Sequence, residues 1–354
     1  MQSKIEVESK LLSRKKSMKE RAPRNRTLTM GDNEKDYLQR HVHHATTLMS
    51  FSDIINKTFN NDINEAIKFF PEKCADLLII DPPYNLDKDF NGYKFKKSDN
   101  DAYIKYLESW FPKVVKLLKD TGSLYICGDW KCTSALYRVV SKYLIIRNRI
   151  TWQREKGKGS KINWKNCVED IWFATVSDNY YFDVESVKMK RKVIAPYREN
   201  GRPKDWEESE NGNYRITYPS NFWDDITIPY WSMSENTDHP TQKSEKLIAK
   251  LILASCPVGG MVFDPFLGSG TTSVVAKKLN RLYCGIEINN EYCCWAEKRI
   301  NSAINDKNIQ GYARGVFWER NSLNLQKGNK RKFTQPHADE HPPKKLNFMK
   351  KEVK

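Results

Sequence analysis

The amino-acid sequence predicts an α/β fold built on a doubly wound, mostly parallel sheet. Apolar runs of strand length alternate with amphipathic helical segments, and the connections between them are short. One such run, residues 75–80, is apolar almost throughout, as expected of a parallel strand covered on both faces. With 354 residues, the chain is long enough to bury a core in one large domain or two smaller ones.

The predicted elements follow one another in a regular order. Residues 51–70 combine a strand-like start with an amphipathic helix, and a polar loop over 86–101 is long enough to be a mobile lid. Strands are predicted at 74–80, 123–127, 144–151, 168–175, 261–263 and 282–286. Helices are predicted at 102–118, 133–142, 243–255, 271–279 and 289–303.

Composition limits the classes of function. The formal charge of +16 favours a polyanionic partner, although the two tails (residues 1–46 and 327–354) carry +11 of it. No apolar run approaches the roughly 18 residues of a membrane span. Without a signal-peptide pattern, we expect a cytoplasmic protein. The eight cysteines form no Cys-x-x-Cys pair, and five of the six histidines lie in the tails, so we expect free thiols and no metal site.

The region from residue 152 to about 236 has a different composition, in which cations and aromatic residues interleave. Exposed cations spaced by aromatic rings suit a surface that neutralises phosphates and stacks bases. A solvated insertion is the alternative, because residues 155–210 hold equal numbers of acids and bases. The candidate nucleic-acid-binding residues are Arg154, Lys156, Lys158, Lys161, Lys165, Lys190, Arg191 and Lys192.

The motif Asp81-Pro82-Pro83-Tyr84 follows the strand at 74–80 directly. Each proline fixes its own φ and lacks an N–H, so the strand cannot simply continue. The result is a stiff turn at the carboxyl end of a strand, where open α/β sheets place their ligands. A carboxylate, a free carbonyl and an aromatic ring suit the gripping of a planar ring by its polar edge. The alternative is a turn stiffened by proline and capped by Asp81.

A second motif, residues 264–272, has the sequence DPFLGSGTT and joins a strand to a helix through two glycines. Glycine lets the backbone approach a ligand closely, and the helix start offers free N–H groups. Glu287 ends the next strand, where an acid can bind the hydroxyls of a ribose. The third glycine position of the dinucleotide motif is Ser273, which favours a nucleoside without a pyrophosphate.

Together with HPTQKS at 239–244, these motifs resemble those of the S-adenosylmethionine-dependent amino-methyltransferases of DNA. Their order is similar to that of the permuted beta group, in which the catalytic motif comes before the cofactor motif. The resemblance covers residues 52–303 and implies a Rossmann-like class I methyltransferase fold with an inserted DNA-recognition region. Ser244 stands where the family usually has Pro, and we expect it to cap a helix.

The resemblance implies roles for particular residues. Asp81, Pro82, Pro83 and Tyr84 are the implied catalytic residues, in which Asp81 and the Pro82 carbonyl accept both amino hydrogens and Tyr84 stacks on the base. Lys243 is expected near the carboxylate of the cofactor. The implied cofactor-binding residues are Asp62, Thr241, Gln242, Lys243, Asp264, Pro265, Phe266, Gly268, Gly270, Thr271, Thr272 and Glu287.

The implied reaction is methylation of the N6 amino group of an adenine flipped out of double-stranded DNA, with S-adenosylhomocysteine as the second product. Cytosine-N4 methylation is the nearest alternative, but relatives acting on cytosine more often have Ser in place of Asp81. A catalytically silent DNA-binding module of the same fold is an alternative of another class. The implied partners are a restriction endonuclease of matching specificity and, as one oligomeric state, a second copy of the chain.

The implied domain organisation has five parts. A flexible basic arm (1–46) precedes the catalytic half (47–151), a target-recognition insert (152–236) and the cofactor-binding half (237–305). A C-terminal extension (306–354) follows, with a basic, disordered tail from about residue 326.

Overall fold

The computed structural model describes residues 22–90, 92–154, 162–193, 197–209 and 212–320. The strands are β1 Val42–His43, β2 Lys57–Asn60, β3 Ala75–Ile80, β4 Lys88–Phe90, β5 Tyr93–Phe95, β6 Leu118–Gly128, β7 Ile145–Gln153, β8 Val168–Thr175, β9 Met189–Lys192, β10 Arg198–Glu199, β11 Arg202–Pro203, β12 Glu207–Ser209, β13 Gly212–Thr217, β14 Phe222–Trp223, β15 Met261–Asp264, β16 Leu282–Glu287, β17 Tyr312–Ala313 and β18 Val316–Trp318. The α-helices are α1 Asp32–Gln39, α2 Phe51–Ile54, α3 Ile63–Ala66, α4 Asn100–Val115, α5 Thr133–Val140, α6 Glu245–Ser255, α7 Thr271–Lys278 and α8 Asn290–Ser302.

The main sheet has nine strands in the order β1-β2-β16-β15-β3-β6-β8-β7-β14. All neighbours are parallel except β8, which runs antiparallel to both β6 and β7. Apolar cores lie on both faces, one containing Trp110 of α4 and the other Leu247 of α6. The predicted doubly wound, mostly parallel sheet is therefore confirmed, and the carboxyl ends of β3, β15 and β16 share one edge.

A second sheet of five strands, β12-β13-β9-β18-β17, combines the middle of the chain with its C-terminal part. The buried side chain of Lys250 on α6 joins this small sheet to the main domain, because its ammonium lies 3.5 Å from Met189 Sδ of β9 and over the ring of Phe317 of β18. The predicted insert 152–236 is thus not a separate body. Trp152, β8 and β14 within it belong to the main sheet.

The prediction of a flexible arm over residues 1–46 is wrong for part of it. Helix α1 buries Leu38 and packs on α8, where Lys298 pairs with Glu34, and β1 adds a short parallel strand beside β2. The few apolar residues of this segment gave too weak a periodicity to reveal either element. Residues 1–21 and the tail from residue 326 lie outside the described residues. Across the described ranges, no helix is long and apolar enough to span a membrane.

Candidate active site

A cavity of about 560 Å³ opens at the carboxyl edge of the main sheet. It joins the turn after β3 to the glycine loop after β15 and to the end of β16, three points far apart in sequence. The parallel register of these strands brings them together. The residues predicted for the site that line it are Asp62, Asp81, Pro82, Pro83, Tyr84, Arg154, Thr241, Gln242, Lys243, Asp264, Pro265, Phe266, Gly268, Thr271, Thr272 and Glu287.

The carboxylate of Asp81 carries a donor on each oxygen. Tyr84 donates its hydroxyl hydrogen to Oδ1 at 2.9 Å, and the ammonium of Lys243 donates to Oδ2 at 2.6 Å. Lys243 also lies 3.2 Å from the Tyr84 hydroxyl, and burial and the neighbouring Asp81 raise the pKa of Tyr84 well above its usual value. Since donors already approach both of its oxygens, the Asp81 carboxylate is placed as a hydrogen-bond acceptor at the cavity wall.

Lys243 therefore contacts the catalytic motif, whereas the sequence placed it at the carboxylate of the cofactor. Its side chain is 8% exposed, and its ammonium approaches the carboxylates of both Asp81 and Glu169. A buried ammonium requires such partners, because an unpaired charge is expensive to bury. The two negative charges nearby leave little net positive charge for an additional anion.

Glu169 was missed from the sequence. It lies at the start of β8, is 2% exposed, and forms an ion pair with Arg154. Since β8 runs antiparallel to β6, its first residues lie at the sheet edge that holds the carboxyl ends of the other strands. The available signal was a pair of adjacent carboxylates, Glu169 and Asp170, in the mostly apolar strand VEDIWFAT, because charged residues are rarely buried without a partner.

The opposite side of the cavity holds two buried acids, Asp264 and Glu287. Asp264 accepts from the Thr272 hydroxyl at 2.6 Å and from the Phe266 N–H at 3.0 Å, and burial raises its pKa to about 7. Each carboxylate oxygen of Glu287 accepts a backbone N–H at 2.8 Å, from Gly268 and from Asn289. Burial raises the pKa of Glu287 in spite of these bonds. This side of the cavity is thus rich in carboxylate and poor in cations.

The two glycines of the loop have different surroundings. Gly268 has φ of +55° and lies beside the His239 ring, and a Cβ placed there would be 3.1 Å from Nε2. Gly270 has φ of +82° and does not line the cavity, because it packs against Ala296 of α8. A Cβ placed on Gly270 would lie 2.5 Å from the Cβ of Ala296. The structure thus gives Gly270 a packing role, and its contact with cofactor stays a prediction.

The segment before α6 is held in place by hydrogen bonds among its own residues. Gln242 accepts from Thr237 and donates to the Glu235 carbonyl, while the Thr241 N–H donates to Nδ1 of His239 at 3.3 Å. Burial lowers the pKa of His239 to about 4, so the ring is neutral near pH 7 with its proton on Nε2. Ser244 caps α6 by accepting from the Leu247 N–H, as predicted.

A hairpin of β4 and β5 extends across the cavity. Asn85 and Ser98 exchange hydrogen bonds at its base, and Asn289 on the cofactor side donates to the Phe90 carbonyl near its tip. Behind it, Tyr106 and Phe266 add aromatic wall beside Asp62. Asp62 itself caps α3 by accepting from the Asn64 N–H at 2.7 Å. The hairpin occupies the stretch where the sequence predicted a lid.

A family model described as a DNA methylase matches residues 75–298, which is more than half of the chain. The chain belongs to this DNA methylase family. It is 35% identical over 247 residues to the type II methyltransferase M.HpaI of Haemophilus parainfluenzae, covering 68% of this chain and 73% of that protein. It is 31% identical to the DNA adenine methyltransferase YhdJ of Escherichia coli strain K12, covering 72% of this chain and 85% of that protein.

Comparison with solved structures agrees on the fold. The PvuII DNA methyltransferase, described as cytosine-N4-specific, shares 17% identity with a TM-score of 0.51, covering 75% of this chain and 94% of that one. The similarity to that structure is one of fold. This chain is an S-adenosylmethionine-dependent, site-specific DNA methyltransferase of the restriction–modification type.

The cations of this DNA methylase that were predicted to bind DNA are dispersed. Arg154 lies in the cavity as the partner of Glu169, and Lys190 lies between the rings of Tyr214 and Trp318 on the small sheet. Lys165 and Lys192 are exposed, and the Arg191 guanidinium contacts Met189. Lys156, Lys158 and Lys161 lie outside the described residues.

Metal and thiol chemistry have no assembled site in the described part of the chain. No group of three or more His, Cys, Asp or Glu side chains there could hold a metal ion. The eight cysteines are free, and burial raises the pKa of the Cys127 thiol, which lines the cavity, to about 12. A thiol that stays protonated is a poor nucleophile.

Proposed function

We propose that this DNA methylase transfers a methyl group from S-adenosylmethionine to the N6 amino group of an adenine flipped out of double-stranded DNA. One observation carries the proposal: a single cavity holds the Asp81–Tyr84 turn at one end and the Asp264–Glu287 carboxylates at the other. Two ligands meeting there would place an amine and a methyl donor in contact. Positioning of this kind is a major source of rate enhancement.

The cofactor side of the cavity fits a cationic nucleoside. Glu287 keeps unused lone pairs for ribose hydroxyls, and Asp264 supplies a nearby carboxylate for a positive ligand. Gly268, with no side chain, lets the backbone approach the ligand beside His239. S-adenosylmethionine, when bound, supplies an activated methyl group. The new C–N bond would form as the C–S bond of the sulfonium breaks, and the products would be the methylated base, S-adenosylhomocysteine and the proton released from the amine.

The base side of the cavity fits an exocyclic amine. The lone pair of such an amine is delocalised into its ring, so the amine is a weak nucleophile. Asp81 and the carbonyl of Pro82 accept its two hydrogens and favour a pyramidal nitrogen, while Tyr84 lies against the flat face of the base. Placing acceptors where positive charge develops stabilises the transition state.

Adenine is favoured over cytosine by two observations. The relative YhdJ is named as a DNA adenine methyltransferase, and this chain has Asp81 where cytosine enzymes more often have Ser. The decisive experiment is in vitro methylation of unmodified DNA with labelled cofactor, followed by mass spectrometry of the nucleosides. We expect N6-methyladenine, absent with Asp81→Ala. N4-methylcytosine would overturn the choice of base, and DNA binding without any incorporation would identify a silent binding module.

The biological setting follows from the family. Methylation at a specific site would protect host DNA from a restriction endonuclease of the same specificity in a prokaryotic cytoplasm, where the chain acts alone or as a homodimer. Sequencing of DNA from cells expressing the chain identifies the modified site. A methylated motif that the matching endonuclease then fails to cut supports this setting, and cutting at fully methylated sites contradicts it.

A further inference from the structure

We propose that Glu169 is a positioning residue that takes over hydrogen bonds from Asp81 when Asp81 engages the target amine. The proposal rests on the function proposed above. Glu169 is no part of the Asp81–Tyr84 motif or of the glycine loop, and it does not contact the cofactor side of the cavity. Its role follows from the donors that it shares with Asp81.

Two donors lie between two carboxylates. Lys243 is 2.6 Å from Asp81 Oδ2 and 3.4 Å from Glu169 Oε2. The Tyr84 hydroxyl is 2.9 Å from Asp81 Oδ1 and 3.3 Å from the same Glu169 oxygen. Both donors therefore favour Asp81 in this arrangement, while Glu169 lies within reach of small movements. The pair can exchange donors without either carboxylate losing all its partners.

Base binding favours such an exchange, because donors that shift towards Glu169 leave more of the Asp81 lone pairs open to the amine. The target amine must donate a hydrogen to Asp81, whose two oxygens already carry Tyr84 and Lys243. Stacking of Tyr84 on the base also requires its ring to lie parallel to the base plane, which moves its hydroxyl. A hydroxyl or ammonium that lost its acceptor in this buried site would be costly. Glu169 offers the alternative acceptor.

The placement of Glu169 is secured by the fold. Because β8 is antiparallel to β6 and β7, Glu169 lies opposite Trp152 at the edge of the sheet that contains the site. Arg154 forms an ion pair with it, which compensates the burial of its charge. With Arg154 in place, Glu169 remains an anion while Lys243 moves between the two acids. The formal charges of Asp81, Glu169, Lys243 and Arg154 sum to zero.

The test is Glu169→Gln, which keeps the size of the side chain and removes its charge. Lys243 then has Asp81 as its one carboxylate partner and holds it more firmly. We expect kcat for methyl transfer to fall about 10²-fold, the effect typical of a misplaced reacting group, with the Kd for S-adenosylmethionine unchanged. With 2-aminopurine at the target position, the fluorescence increase on base flipping should weaken.

Asp170 provides the matched control. It is the next residue of β8, is also buried, and faces away from the cavity, where it accepts from Thr151 at 2.9 Å. Asp170→Asn should retain kcat within about threefold while changing stability similarly. If Glu169→Gln and Asp170→Asn have the same kcat, the proposal is wrong.

A double-mutant cycle separates donor exchange from general damage to the fold. Tyr84→Phe removes one of the shared donors, so Glu169→Gln should cost several-fold less in that background. Equal costs in both backgrounds would overturn the inference. If Glu169→Gln does not fold, Glu169→Asp is the second variant. It keeps the negative charge beside Arg154 but moves the carboxylate back by one methylene. A wild-type kcat for Glu169→Asp would likewise contradict the positioning role. Failure of the proposed function is distinct, because wild type itself would then make no N6-methyladenine.

Discussion

Two neighbouring strands of the main sheet end in the same dipeptide, and their surroundings give it different chemistry. Strands β3 and β15 pair in parallel, with Leu78 opposite Phe263, and continue into Asp81-Pro82 and Asp264-Pro265. Proline stops each strand in the same way, so both carboxylates are delivered to the same cavity. The local sequence therefore does not distinguish them.

The difference comes from residues distant in sequence. Asp81 has an ammonium at 2.6 Å, supplied by Lys243 just before α6. Asp264 is 4% exposed and has only the neutral donors Thr272 and Phe266, and burial raises its pKa to about 7. One Asp-Pro thus has a cationic partner within hydrogen-bond distance, and the other is an acid whose charge depends on pH and on its ligand.

The largest expected effect is on the β3 side. Asp81→Asn replaces an acceptor by an amide that can also donate, and it leaves Lys243 without one of its two carboxylate partners. We expect kcat to fall about 10²- to 10³-fold, as when one preorganised electrostatic contact to the transition state is removed. Isothermal titration should show an unchanged Kd for S-adenosylmethionine. A Kd weakened as much as kcat would mean that the two strand ends are not functionally separate.

At the end of β15, we expect a substitution to change the cofactor Kd more than kcat. Asp264→Asn should weaken cofactor binding about tenfold at pH 8, because a positively charged ligand loses a carboxylate in a buried site. Its effect on kcat at saturating cofactor should be much smaller. A variant with normal cofactor affinity and low kcat would contradict the assignment of this strand end to the cofactor.

The pH dependence of cofactor affinity sharpens the same comparison. Since the pKa of Asp264 is about 7, raising the pH from 6 to 8 ionises it and should tighten binding of a cation about tenfold. His239, whose pKa burial lowers to about 4, is neutral throughout this window. Glu235 also has a pKa of about 7, raised by burial, but its contact is the N–H of Glu245. A slope that persists in Asp264→Asn would belong to Glu235 or to Glu287, whose pKa is also raised by burial.

Proline stops both strands, but the turn after β15 is in addition held by close packing of its glycine loop against α8. Gly270→Ala should cost about 2–4 kcal/mol of unfolding free energy, from the contact with Ala296 and from the left-handed backbone. Gly259→Ala is the control, since its φ is +75° and a Cβ would meet nothing within 4 Å. It should cost about 1–2 kcal/mol in the same denaturant titration. Equal losses would mean that packing against α8 contributes little.

The sequence predicted the strands and turns at this edge of the sheet better than the side-chain contacts made there. Apolar runs gave the strands, and proline and glycine located both turns, because these signals are local. The contact of Lys243 with Asp81, and the existence of Glu169 in the site, depend on the antiparallel direction of β8 and on the docking of α6. The packing role of Gly270 depends likewise on the position of α8. No local pattern encodes such contacts between distant segments.

The smallest expected effect concerns a surface outside both strand ends. Lys192, at the exposed end of β9, is a candidate phosphate contact on the small sheet. Removing one phosphate contact by Lys192→Ala should lower the slope of log K against log salt by about 0.9 and leave kcat at saturating DNA unchanged. Lys73→Ala is the control, because Lys73 pairs with Asp120 at the opposite edge of the main sheet. Identical salt slopes for wild type and Lys192→Ala would show that Lys192 on β9 makes no phosphate contact. That result would not bear on the chemistry assigned to the ends of β3 and β15.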